Sequence, residues 1–400
     1  MATVWDISLR PILFSAILLL ASAGPVLAGD TYWQRPPATS GDWYDDANWS
    51  AGAPDTGDRA SVDNGGTAVI SAGDAGANYL YAGEYGTGTV LQTGGAASLS
   101  MYLYLGRNTG SVGSYELSGS GGLSMRSAYV GYSGTGAFVQ TGGTNELSWD
   151  LYLGHSSGSV GSYELSGSGG LSMRSAYVGY YATGAFVQTG GTNELSSDLY
   201  LGHLSGSVGS YELSGSGGLS ARSAYVGRYG TGTFVQTGGT HASQDLYLGS
   251  SSSGVGRYEL GGDGRLSAQT ERVGGGFQAT GTFVQSGGEN TVESLYVGDY
   301  TLSSGTYELS GGQLSVGAMY MGTSGTGTFV QSGGTHVVGQ MSIGSNGKYG
   351  LTGGSLEVTD WLDLAGELDF GGSAVTGTFG GLSEGAALTI SGQTFTISYV

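Results

Sequence analysis

The chain has 400 residues, 82 of them glycine and none cysteine, and a formal charge of −19. The missing cysteines exclude disulfides, thiolate metal sites and cysteine nucleophiles, and five prolines without a Gly-X-Y period exclude collagen. Twelve basic residues against 31 acidic ones argue against nucleic acid as a partner, while 38 % hydrophobic residues are too many for a disordered Gly/Ser chain.

Residues 1–28 read as a secretory signal peptide. Arg10 precedes the apolar run Ile12–Leu20, and Val26-Leu27-Ala28 offers a cleavage site before Gly29. The stretch from Pro11 to Ala28 is marginal for a bilayer and is interrupted by Gly24 and Pro25. The mature chain is therefore expected to be exported, soluble and free of a membrane span. Residues 29–66 hold Trp33, Trp43 and Trp49 with Pro36, Pro37 and Pro54. They are expected to form an N-terminal cap with the first strands, because a repeat array exposes an apolar cross-section at each end.

Residues 67–360 are a repeat array. Residues 103–150 and 151–198 overlay without a gap and differ at six positions only. Each unit of about 48 residues splits into two similar halves marked by an apolar-Tyr-apolar-Gly motif, with glycines such as Gly106, Gly131, Gly154 and Gly179 spaced by 22 to 25. Every half carries three short stretches of period two. In one half these are Leu151-Tyr152-Leu153-Gly154, then Gly161-Ser162-Tyr163-Glu164-Leu165-Ser166-Gly167, then Leu171-Ser172-Met173. Gly/Ser clusters separate them as turns. The pattern predicts an all-β fold: a parallel β-solenoid of about 13 coils, three short strands per coil. A β-propeller with blades of about 48 residues is the alternative, but the internal halving argues against it. Residues 361–400 hold the last coil and a C-terminal β cap ending in Leu388-Thr389-Ile390 and Phe395-Thr396-Ile397.

Stacked coils turn sequence columns into ladders. The middle of the first strand is Tyr81, Tyr104, Tyr129, Tyr152, Tyr177, Tyr200, Tyr225, Tyr247, Tyr296 and Tyr320, with Arg272 and Ser342 as exceptions. Apolar neighbours point inward, so this row points outward and is the candidate binding surface, for another rod or for sugar rings. In the second strand Tyr and Phe alternate from Tyr115 to Phe329 and are expected to form the core. Glu116, Glu164, Glu212, Glu259 and Glu308 follow them on every second coil, about 9.6 Å apart. That separation is too wide for a retaining glycosidase pair, and five copies in register suggest architecture.

The histidines (His155, His203, His241 and His336) show no metal-ligand spacing and read as solvated turn residues. Arg126, Arg174 and Arg222 recur at intervals of 48 and are expected to face acidic groups. Asp42, Asp45, Asp46 and Asp58 are the acidic cluster to weigh for calcium in the cap. No cofactor, metal or catalytic residue is assigned, and the chain reads as non-enzymatic.

The stretch Gly41-Asp42-Trp43-Tyr44-Asp45-Asp46-Ala47-Asn48-Trp49-Ser50, followed by Pro54 and Asp58, resembles the opening segment of secreted bacterial Gly-rich repeat proteins. Such chains are similar to autotransporter passenger regions and exported surface repeat proteins. The resemblance implies an extracellular or cell-surface solenoid without assigned catalytic residues. The expected function is thus a structural, adhesive or fibre-forming rod with self-association or extracellular polysaccharide as partner. A carbohydrate-binding or polysaccharide-degrading β-helix is the alternative.

Overall fold

The computed structural model describes residues 29–371, 376–379 and 396–397. The expected signal peptide and Leu388–Ile390 lie outside the described residues. The described chain is a parallel β-solenoid of about 14 turns, one more than the motif spacing predicts. The cap strands Asp30–Tyr32 and Ser40–Asp42 pair in parallel with Arg59–Ile70 and so form a turn of their own, ahead of the first motif glycine, Gly83. At about 4.8 Å per turn the stack is a rod of roughly 65 Å.

One turn shows the construction. Val160–Leu165 is followed by a Gly/Ser corner, then Gly170–Met173, then Ser175–Val178. Each strand pairs in parallel with its equivalents above and below, so Tyr163 lies between Phe138 and Phe186, and Tyr152 between Tyr129 and Tyr177. From Gly218 onward the last two strands run together, as in Gly218–Val226 and Thr240–Leu248. Parallel pairing with one-coil offset excludes a propeller blade, whose neighbouring strands are antiparallel.

Period-two alternation fills the interior. Leu151, Leu153, Tyr163, Leu165, Leu171 and Met173 of one turn are all buried. Tyr115 through Phe329 form a single internal stack, extended by Tyr349, with ring centroids 4.5–5.1 Å apart. Each such ring removes a large apolar area from water.

Two glycines show why the motif is so strict. Gly154 has φ +67°, and a Cβ there would lie 2.2 Å from Thr183 O. At Gly161 it would lie 2.1 Å from Val130 O. The chain turns where one coil climbs onto the next, and the backbones approach too closely for a side chain.

At the N-terminus Trp33, Trp43 and Trp49 are buried in edge-to-face contact, and Trp49 Nε1 donates to Trp43 O at 2.8 Å. The tryptophans close the apolar cross-section, as expected of a cap. At the other end Thr376–Phe379 pairs with Ser355–Leu364, and Thr396–Ile397 pairs in turn with Thr378 and Phe379.

Candidate functional site: the tyrosine ladder and the polar spine

The ten tyrosines of the first strand fall in one outward ladder, broken by Arg272. Tyr81 to Tyr247 is an unbroken run of eight rings with centroids 4.9–5.1 Å apart and planes within 4–12°. Tyr296 and Tyr320 continue it beyond Arg272, whose guanidinium carbon lies 4.1 Å over the Tyr296 ring. Arg59 and Arg107 close the other end over Tyr81, and both are ion-paired to Glu84, which is 2 % exposed.

The ladder is more sheltered than a row of exposed rings. Tyr81 and Tyr200 are 5 % and 8 % exposed, and most of the others are half-buried. On one side stands a second stack on the turns, Tyr132, His155, Tyr180 and His203. Its rings meet the ladder edge to face at 77–90°. On the other side lie Asp150 and Asp198, which accept from the hydroxyls of Tyr152 at 3.4 Å and Tyr200 at 3.0 Å. Burial and these neighbouring carboxylates push the Tyr152 and Tyr200 phenols well above their ordinary range. Both faces of an interior ring are covered by its neighbours. Hydroxyls and ring edges are what the ladder presents, so a sugar has no open face on which to stack.

The arginines differ in partner. Arg174 and Arg222 pair with Asp150 and Asp198 at 2.6 and 3.4 Å, as expected of acid partners. Arg126 instead lies 3.6 Å over Trp149, whose other side is approached by Arg174 at 5.3 Å. Trp149 is one of the six positions at which the two overlaid repeats differ, and Ser197 stands there in the next copy.

The histidine expectation needs correction. His241 and His336 are 1 % and 0 % exposed and lie in the core. They occupy an inward column of the third strand that reads Asn193, Leu219, His241, Leu266, Asn290, Leu314, His336. His155 and His203 do lie on turns, but half-buried between tyrosines.

These buried polar residues belong to a spine not foreseen from the repeat. On every second coil a buried glutamine (Gln92, Gln140, Gln188, Gln236, Gln285 or Gln331) accepts through Oε1 from the tyrosine one coil on, Tyr115 to Tyr349. Its Nε2 donates to corner carbonyls, for Gln140 those of Gly143 and Gly170. The tyrosine oxygen then accepts from Asn145, Asn193 or Asn290, or stands 3.0 and 2.9 Å from Nδ1 of His241 and His336. Because the hydroxyl proton is committed to glutamine, these histidines are assigned as neutral Nδ1–H tautomers. Burial pushes both down to about 3. The signal was present in the sequence: every Phe-Val-Gln coil is followed by a Tyr coil.

One buried carboxyl stands apart. Glu271 is 1 % exposed, in a column of leucines between Leu246 and Leu295. Its Oε2 accepts from Asn290 at 3.1 Å, and burial raises its pKa to about 8.

In the cap, Asp42, Asp45, Asp46 and Asp58 accept from backbone amides of Tyr44, Ala47, Ala53 and Gly29, respectively. They act as turn caps. Among the described residues no group of three or more His, Asp or Glu is placed to hold a metal, and no helix is long and apolar enough to cross a membrane. No family model matches this chain, and neither a curated protein nor a solved structure matches it.

Proposed function

We propose that this chain is a secreted, non-enzymatic structural protein, a stiff extracellular rod that displays repetitive faces at a cell surface or in extracellular material. The observation that carries the reading is the continuity of its ladders. The same residue types recur coil after coil through the array, inside and out, so the molecule offers periodic surfaces where an enzyme needs one irregular place. The buried polar spine adds directional bonds between coils to the apolar core, which favours one register and a stiff stack. Export is supported by the pattern of residues 1–28, and self-association side by side or end to end is the partner reading.

The test is to express the full chain, identify the N-terminus of the exported protein and image it by negative-stain electron microscopy. Cleavage after Ala28 and rods of roughly 65 Å, or fibres built from them, are the expected results. Retention inside the cell with residues 1–28 intact, or round particles, would sink the reading.

A further inference from the structure

Depressions on the rod fall in line. Four lie on the outer face of the third-strand ladder, with volumes of roughly 130, 210, 210 and 590 Å³. Each shares lining residues with the next: Thr192 and Glu194, then Thr240 and Ala242, then Ser267 and Thr291. Together they make one furrow parallel to the rod axis, from the coil of Thr144 to that of Val337. That is eight coil steps, or roughly 40 Å.

The most voluminous of the four coincides with a change in the sequence. The inward column at the bend reads Met125, Leu147, Met173 and Leu195, then Ala221, Ser243 and Ala268, before Val292 and Val316. Two of these small residues, Ser243 and Ala268, line that depression at one end. Ser243 lines this part with its Oγ covered from solvent and without a hydrogen-bond partner among the described residues. Ser267, Thr291 and Ser315 supply one hydroxyl per coil along the rim, and Val292 and Val316 supply apolar contact.

We infer that this furrow is a binding track for an extended, uncharged polysaccharide lying along the rod. A peptide strand is disfavoured, because the parallel ladders already pair the backbone groups that strand addition would need. Polyanions are disfavoured, because Glu146, Glu194 and Glu293 line the furrow and its one arginine, Arg265, is ion-paired to Glu289. What is left is hydroxyls, amides and an apolar floor, repeated at the coil spacing of about 4.8 Å, of the order of one sugar ring in an extended chain. The inference rests on the extracellular reading only for where such a chain is met.

The test is affinity electrophoresis and pull-down of the exported protein with β-glucan, chitin and mannan, and with polygalacturonate as the polyanion. The decisive variant is Ser243→Leu with Ala268→Leu, which restores the larger side chains of the upstream coils and is expected to fold. Binding of at least one neutral polymer, weakened roughly tenfold or more by this variant and unchanged by Tyr152→Ala, supports the track. No binding to any neutral polymer, equal binding by the filled variant, loss in Tyr152→Ala alone, or preference for polygalacturonate overturns it. Rods in the microscope with no polysaccharide binding would overturn the track and leave the structural reading intact.

Discussion

The hydroxyl of Tyr115 donates to Oε1 of Gln92, one coil below, at 2.6 Å. This bond and its five equivalents make the two-coil repeat a physical unit. Glutamine on one coil has its acceptor satisfied only by tyrosine on the next, and the glutamine coils themselves place phenylalanine, or Val90 in the first, in the internal stack.

Tyr211→Phe tests the spine with a residue that alternate coils already use. It leaves Gln188 Oε1 and Asn193 Nδ2 without their partner. The expected loss is about 1–3 kcal/mol, read by denaturant unfolding. Phe186→Tyr, one coil earlier, adds a buried hydroxyl opposite Leu165 and is expected to cost a similar amount. No loss in either variant would show that the alternation is not set by this pairing.

His241 and His336 make stability fall in acid. Their folded pKa of about 3 lies below the ordinary 6.5, so the unfolded chain takes up protons first. Stability from this source is complete above about pH 6.5 and is lost as pH falls towards 3, at about 1.4 kcal/mol per unit for each histidine. Replacing both by asparagine, the residue at the equivalent positions 193 and 290, is expected to flatten that slope in unfolding measured from pH 7 to 4.

Glu271 acts in the opposite direction. Its folded pKa of about 8 exceeds the ordinary 4.5, so the folded chain holds the proton longer. Its penalty is absent below about pH 4.5 and grows as pH rises to about 8, again on the order of 1.4 kcal/mol per unit. Glu271→Leu, matching the leucines above and below, is expected to stabilise the rod most above pH 8. A variant with equal stability gain at pH 4 and pH 8 would contradict this account.

Gly161→Ala places a methyl 2.1 Å from Val130 O. The coils have no room to part without breaking adjacent ladder bonds, so a loss of about 3 kcal/mol or more is expected. Gly158→Ala is a useful contrast, since its Cβ meets nothing within 4 Å. Its cost is limited to the left-handed backbone at φ +80°, about 1–2 kcal/mol.

The solenoid, the internal Tyr/Phe stack and the outward tyrosine row were legible because each depends on period two and coil length, which a single sequence displays directly. His241 and His336 were misread for a different reason. Their column alternates with leucine, and in its early coils it carries Ala97 and Leu123, so nothing local marks it as polar and buried. The furrow was illegible because it depends on side-chain volume along its length, including the small Ser243 and Ala268, measurable only when coils are stacked.

The glutamine–tyrosine coupling also governs how such a chain can grow or shrink. Excising one coil would set two Tyr coils or two Phe-Val-Gln coils side by side, stranding a hydroxyl or an amide in the interior. Excising two restores the match. Residues 103–150 and 151–198 are near-identical as a whole pair of coils, and variants lengthened or shortened by whole pairs, in steps of about 9.6 Å, are expected to keep the spine matched.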